Sequence, residues 1–426
     1  MLSRQSRLLA PVLCAALTGF AGAADWSGWR GPTGQGHTDD KKLPLTWNGK
    51  TGENVRWKVA LPLQGSAEIV SGVDQNQSSP IVRRGKVFVT VSYWDGKTDP
   101  KKHPEHHVLC YKAEDGKLLW DTKVEPGPWL FADLRGGYTA PTPAADDDRV
   151  YVVFGSSVIA AFDHDGKQLW RKEIKPFKFD VAFAASPVLV GDTIVMQCDQ
   201  VDKQSRLVAF DKKTGDTKWE QLRPTHGFAH STPVLAEIGG KKQLLVAASN
   251  ALQGVDPDTG KVLWSCAASG DTVSPVMSGG LVYLDSGRGG TGIAVDPTGT
   301  GDVTKTHLKW KTGTIPDGHG SPVLVGEHLY RLHSPGVLKC LTLAKGEVVY
   351  SERLAGVSVH ASPIAAPDGR IYLASAGKTY VVKAGAKFEI LATNDLGDDS
   401  PASPAVADGR LYLKGRKMLY CVGDKK

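Results

Sequence analysis

The sequence contains no adjacent pair of cysteines, no Cys-x-x-Cys and no Cys-x-x-Cys-His, so it has no site for a covalently attached haem. Five cysteines follow residue 23 (Cys110, Cys198, Cys266, Cys340 and Cys421), and an odd number cannot make a complete disulfide set. Beyond residue 23 no stretch approaches the roughly 18 apolar residues that a membrane-spanning helix needs. No helix-length 3.6-residue periodicity interrupts the chain, which excludes solenoids built from helix pairs. Gly-x-Ser-x-Gly, the phosphate loop and His-Glu-x-x-His are all missing, so no motif supports a hydrolase. An excess of one charge is missing too. Lys and Arg number 51 against 45 Asp and Glu, a net +6 of which Arg4 and Arg7 supply two. That balance is too weak to suggest a nucleic-acid partner.

Apolar residues and turn formers are abundant. Of 426 residues, 41% are apolar and 8% aromatic, enough to fill a large core and incompatible with whole-chain disorder. The 48 glycines and 25 prolines are scattered, as expected of many short strands joined by tight turns. The first 23 residues differ from the rest. Arg4 and Arg7 precede an apolar run, Leu8 to Ala16, and a small-residue site, Ala21-Gly22-Ala23. This is the layout of a cleaved secretory signal peptide, too short to span a bilayer. Leu13, before Cys14, is bulky where a lipidation signal needs a small residue. The mature chain is therefore expected to be periplasmic or secreted.

The rest of the chain is one repeat used eight times. A Ser/Thr-Pro pair recurs at Pro80, Pro143, Pro187, Pro233, Pro275, Pro322, Pro363 and Pro404, at intervals of 41 to 63 residues. Such periods indicate a propeller or a solenoid. A strand-like run follows most of these prolines, as in Lys86-Val87-Phe88-Val89 and Arg410-Leu411-Tyr412-Leu413. A third strand then enters a turn, and a fourth ends near Trp. Ala209 to Trp219 shows this fully, and Gly254 to Trp264 repeats it. Trp120, Trp170 and Trp310 hold the same place, and Tyr350 stands in for Trp in the sixth repeat. Glycine in the turn supplies positive φ. The Trp offers a flat surface to stack on the neighbouring blade. Cys110, Cys340 and Cys421 share a position with Ala161, Ala209, Gly254 and Ala294, and read as small buried residues. The eighth repeat, Ser403 to Val422, stops after three strands, while Val55-Arg56-Trp57-Lys58-Val59 has the pattern of a fourth. The expected fold is all-β: an eight-bladed β-propeller of four-stranded blades, its ring closed by strand 55–59 completing the C-terminal blade. The domain reading is 1–23 signal peptide, 24–54 a leader with Trp26, Trp29 and Trp47 packed along a blade, and 55–426 propeller. Trp57, Trp120, Trp170, Trp219, Trp264 and Trp310 are the expected blade-docking residues.

The Ala-x-Asp-x-x-Thr-Gly-x-x-x-Trp segments resemble the repeat of quinoprotein, or PQQ-type, propellers. From Trp29-Arg30-Gly31-Pro32 through Gly301-Asp302-Val303-Thr304-Lys305-Thr306-His307 to Leu419-Tyr420-Cys421-Val422, the chain resembles exported PQQ-binding-like β-propeller repeat proteins. Two relatives bracket what this implies. Quinoprotein alcohol dehydrogenases hold pyrroloquinoline quinone (PQQ) and Ca²⁺ at the channel mouth. BamB-like proteins use the propeller without a cofactor, as a scaffold in outer-membrane β-barrel assembly. Fold alone does not choose between them. The dehydrogenases carry a vicinal Cys-Cys pair and longer insertions, both absent here. The lipid anchor typical of the assembly proteins also looks absent.

Loops between second and third strands, and between consecutive blades, emerge on one face, here called the top. Two insertions of the first repeat fall there. One is Trp94 to His107. The other is Glu125 to Tyr138, with Trp129, Phe131, Asp133, Arg135 and Tyr138. Independently, His230, His319 and His360 each lie three residues before a repeat proline, with Asp271 one position further out in the fifth repeat. Equivalent positions should ring the channel mouth, where they could bind a metal or an anionic ligand, although residues on separate blades must converge closely to share a metal. No bound metal is expected. His103, His106 and His107, in a charged loop, read as solvated. The expected function is an exported scaffold without bound quinone. It would bind a protein partner or an extracellular ligand on its top face through Trp94, Trp129, Asp133, Arg135, Tyr138, His230, Asp271, His319 and His360, as a monomer. The alternative implied by the resemblance is a PQQ/Ca²⁺-dependent alcohol or sugar dehydrogenase. In it Arg135, His230, Asp271, His319 and His360 line the cofactor, with an Asp as base.

Overall fold

The computed structural model describes residues 25–62, 77–94, 99, 101–130, 137–175, 183–357 and 359–424. The segment read as a signal, 1–23, lies outside them, as do Asp133 and Arg135. Every regular element among the described residues is a strand. The strands form eight sheets, seven with four strands and one with five. First strands of neighbouring blades lie side by side, as Val276–Ser278 does with Val323–Val325 and Val323–Val325 with Ile364–Ala365, and so surround a common axis. The chain is an eight-bladed β-propeller.

Val55–Ala60 closes the ring. It pairs antiparallel with Met418–Val422, with Trp57 opposite Cys421. This register gives the repeat's shared small position its physical reason. Across four of the sheets an aromatic on the second strand faces a small residue on the third, which faces Trp on the fourth. The rows are Phe88–Cys110–Trp120, Tyr151–Ala161–Trp170, Tyr283–Ala294–Trp310 and Tyr412–Cys421–Trp57. The small residue leaves room for the two rings to meet over it, at centroid distances from 5.7 to 6.3 Å.

Each of these indoles also docks on the next blade. The indole N–H of Trp57 donates to Ala113 O, Trp120 to His164 O, Trp170 to Lys212 O and Trp310 to Leu343 O, at 2.8–3.0 Å. The ring lies on the glycine of that blade's turn. At Gly215, with φ of 74°, an added Cβ would sit 2.6 Å from Trp170, so close approach and left-handed backbone together exclude a side chain. Trp219 takes the same seat on Gly260. Trp264 does not take this seat. It is folded into its own blade, its indole donating to Gln243 Oε1 at 2.9 Å. The reason is a fifth strand: Gly301–Asp302 pairs parallel with Trp264 and Ser265 and covers that edge. In blade six, Tyr350 contacts Phe388 of blade seven instead, with centroids 5.6 Å apart.

Blade seven has no Trp of its own, because Ala392 stands opposite Val381. The leader supplies one. Trp47 stacks on Tyr372, the second-strand aromatic of that blade, at 6.4 Å and 18° between planes. Its backbone N–H donates to Asn394 Oδ1, and the Tyr372 hydroxyl donates to Pro44 O. The rest of the leader crosses the lower end of the axis along the inner strands. Val82 and Ala145 amides donate to Trp26 O and Ser27 O, and the Ala365 amide donates to Gly36 O. Arg30 donates to Pro322 O and His37 contacts Leu324 O, both at 2.5 Å. These bonds satisfy inner-edge groups that would otherwise face the channel.

The Ser/Thr before each repeat proline has a structural role. Its amide N–H donates to the hydroxyl of its counterpart in the next blade, from Ser79 to Thr142, Ser186, Thr232, Ser274, Ser321, Ser362 and Ser403, at 2.8–3.0 Å. A girdle of hydroxyls thus joins the blades around the axis and leaves each hydroxyl proton available for donation.

The two kinds of Trp seat should be energetically alike. Trp170→Ala and Trp47→Ala are each expected to cost about 3–5 kcal/mol in urea denaturation, the range for deleting a buried aromatic. A cost for Trp47→Ala within about 0.5 kcal/mol of zero would mean the leader only lies on the propeller.

Candidate functional site at the channel mouth

At the top end of the axis the girdle opens into a cavity of about 410 Å³. Its walls carry Ser79, Thr142, Thr232, Ser274, Ser362 and Ser403 from the girdle, with His230, Thr272, Arg288, His319, His360 and Gln77 above. Trp29 of the leader is the floor, and it also lines a second cavity beneath, between the leader and blades two to four. The volume lies within the roughly 300–1,000 Å³ of small-ligand sites.

The three histidines expected at the mouth all line it. The structure joins two of them directly: Nδ1 of His319 and Nδ1 of His360 are 2.9 Å apart. One ring must donate its Nδ1 proton and the other accept it. One Nε2 then carries a hydrogen and the other a lone pair. Burial and the neighbouring His360 push His319 down to about 4, and burial also holds His360 below its ordinary value. The pair is uncharged at neutral pH. Asp271 is set back from the lining. Its carboxylate accepts from the Thr272 hydroxyl at 2.9 Å and lies 3.6 Å from Arg288, and its carbonyl accepts the His230 amide. Sequence reasoning missed Arg288, Thr272, Gln77 and the floor residue Trp29 as lining. Arg288 was within reach, because Ser286-Gly287-Arg288-Gly289-Gly290 is a second-to-third-strand loop and such loops emerge at the top. Its guanidinium lies over the Phe228 ring at 5.7 Å.

The insertions of blade one behave differently from expectation. Trp94 is 6% exposed and Tyr138 fully buried; with Trp129 packed against them they form the small core of the insertion and do not offer a binding surface. His106 and His107 are not solvated. His106 has no exposed surface, stacks on Phe154 at 4.6 Å and meets the Ser156 hydroxyl through Nε2 at 3.0 Å. Burial, then the nearby His103, push it down to about 3. The cause is strand length: Glu105–Lys112 starts earlier than the charged sequence suggested, which puts alternate side chains into the sheet. His107 sits 2.6 Å from Asp121 and is stacked on Tyr93. Burial lowers its pKa, but bonds to the Asp121 and Glu105 carboxylates raise it more, to a net upward shift.

Buried polar pairs brace the blades that carry the mouth. Arg331 of blade six donates to both carboxylate oxygens of Asp285 in blade five, at 2.8 and 3.0 Å, and to the carbonyls of Gly320, Leu332 and Gly318. Lys414 of blade eight donates to Ser78 and Thr90 of blade one. The first pair holds the Gly318–Gly320 segment that presents His319.

The resemblance to quinoprotein dehydrogenases implies PQQ with Ca²⁺. Ca²⁺ takes roughly six to eight oxygen ligands, carboxylates among them. The described lining contains no carboxylate. The girdle hydroxyls already accept amides. No group of three His, Cys, Asp or Glu among the described residues is disposed to hold a metal ion. This donor set does not fit the cation that accompanies the quinone.

Known proteins resemble much of the chain. The profile of the family described as outer membrane protein assembly factor BamB matches residues 104–352. The outer membrane protein assembly factor BamB of Moranella endobia is 27% identical over 177 residues, 41% of this chain and 42% of that protein, so the match spans less than half of its length. The crystal structure of BamB from Moraxella catarrhalis superposes with a TM-score of 0.60 at 14% identity, covering 87% of this chain and 97% of that one. A europium-containing methanol dehydrogenase superposes at 0.53 and 12% identity, covering 92% and 89%. At such identities the two structures share the fold alone.

His106 makes the insertion acid-sensitive. A histidine whose folded pKa is depressed contributes stability above its unfolded pKa of about 6.5 and loses it as pH falls toward about 3. His106→Phe should flatten the fall in melting temperature across that window. An unchanged pH profile would show that His106 is hydrated in solution.

Proposed function

This chain belongs to the family described as outer membrane protein assembly factor BamB, and from that membership we propose that it is an exported, protein-binding propeller. It engages a component of outer-membrane protein assembly through its top face and works without bound quinone. The observation that carries this reading is the asymmetry of the two ends. The leader lies across the lower end, bonded to inner strands of several blades. The upper end keeps an accessible mouth, and the loop that carries Arg288 opens onto it. Long loops on a rigid scaffold are where binding sites concentrate. The charged and apolar signal layout of residues 1–23 supports export. No helix among the described residues is long and apolar enough to cross a membrane.

Photo-cross-linking separates the faces. A cross-linker at Leu130 or Lys203 is on the top face, and one at Lys213 or Lys345 is on the turns of the lower face. In intact cells the top positions should capture an outer-membrane assembly protein and the lower positions should not. Capture through the lower positions alone would place the partner on the wrong end for this reading.

The cofactor-free reading rests on the donor set of the mouth. Titration of residues 24–426 with PQQ, with and without Ca²⁺, should show no Ca²⁺-dependent change in Trp fluorescence or melting temperature. Saturable quenching that requires Ca²⁺, together with dye reduction by an alcohol, would turn the reading to the dehydrogenase alternative.

A further inference from the structure

We propose that the channel mouth is a carboxylate-binding pocket that takes up a proton with its ligand. The inference rests on the reading of the top face as the binding face and names the chemistry that face accepts.

Four observations converge on an anion. The described lining holds one arginine, three histidines and a girdle of hydroxyls, and no carboxylate. Arg288 is oriented by Phe228, and its one ion pair among the described residues, to Asp271 at 3.6 Å, is longer than a hydrogen bond. Guanidinium hydrogens are therefore left for a ligand, in the planar arrangement that matches a carboxylate. Beneath the floor, Arg30 is 2% exposed, and among the described residues it forms no ion pair and its Nε and Nη1 have no partner. It lies 5.5 Å from the Trp29 ring. Burial pushes it down to about 9, which leaves it protonated at neutral pH. A buried cation without a counter-ion raises the potential of the cavity above it.

The histidine pair supplies the proton coupling. In its neutral form one Nε2 is a donor and the other a lone pair. Protonating that lone pair makes both Nε2 atoms donors and adds a positive charge. The groups acting on the pair are mixed in sign: Asp317, Arg288 and Arg331 on His319, and Asp399 and Arg416 on His360. A bound carboxylate adds a negative charge beside the pair and raises its proton affinity, so binding must tighten as pH falls, by up to about tenfold per pH unit for one linked proton.

The carboxylate could belong to a small organic acid or to an acidic residue of a protein chain, and calorimetry on residues 24–426 distinguishes these sources. The probes are succinate, an end-capped Gly-Glu-Gly peptide, the matched Gly-Gln-Gly peptide and sulfate, at about pH 5.5 and about pH 8. Saturable binding of succinate or the Glu peptide, tighter at the lower pH, is expected. The tighter of the two identifies the source. Arg288→Gln should weaken it at least about tenfold, with an unchanged melting temperature because Arg288 is an exposed side chain. His360→Asn should remove the pH dependence while keeping binding at the higher pH. The proposal fails if neither acid binds at the lower pH, if sulfate or the Gln peptide binds equally well, or if Arg288→Gln changes nothing. Those failures leave the cross-linking result untouched, and a lower-face partner with intact acid binding would overturn the scaffold reading alone.

Discussion

A ring of blades needs its last blade tied to its first, and here that tie is the six-residue strand Val55–Ala60 against Met418–Val422. Without it the eighth sheet would lack its outer strand and blade one would lack the indole that docks on its turn. Trp57 does both jobs: it pairs within blade eight and donates to Ala113 of blade one. The same double role recurs around the ring. Trp120, Trp170, Trp219 and Trp310 likewise each cover a small residue in their own blade and a glycine turn in the next, so those adjacent blades cannot shift independently. The girdle of hydroxyls repeats the coupling near the axis. Together these contacts explain how a structure whose blades touch only their neighbours can present a mouth assembled from several of them.

The leader joins fold and site. Trp47 occupies the seat that blade seven leaves empty at Ala392. Earlier in the same segment, the carbonyls of Trp26, Ser27 and Gly36 accept from inner strands, and Trp29 faces the upper cavity. Arg30 is held beneath by its bond to Pro322 O. One stretch of chain therefore completes a blade, covers the lower end and makes the floor of the cavity. That arrangement sets the polarity of the molecule and directs recognition to the top.

The chemistry of the mouth follows from the repeat and from its irregularities. Three histidines sit at one repeat position because that position begins the inner strand. Two of them touch because blades six and seven are neighbours, whereas His230, on blade four, is separated from them by blade five. Asp271, offset by one residue, turns back to brace Arg288. The result is a site rich in donors whose acidic partner lies behind the wall.

Fold and site were legible in the sequence to different depths. The eight Ser/Thr-Pro pairs, the turn glycines with their Trp, and the missing fourth strand of the last repeat determine the number of blades, their strand count and the closure. Each of these is a local periodic pattern that recurs with the period of the backbone. His230, His319 and His360 were found the same way. Tertiary structure alone decided what no local pattern encodes. Trp264 turned inward because a strand 37 residues later covers its edge. Trp47 filled a gap on a blade far along the chain. Trp94 and Tyr138, in insertions that looked polar and loop-like, became a small core, and His106 was buried because its strand begins early. Arg30 and Arg288 acquired meaning only once the cavity around them existed. Periodicity reports which residues are equivalent, whereas burial, pairing and charge at a site depend on which non-equivalent segments the closed ring brings together.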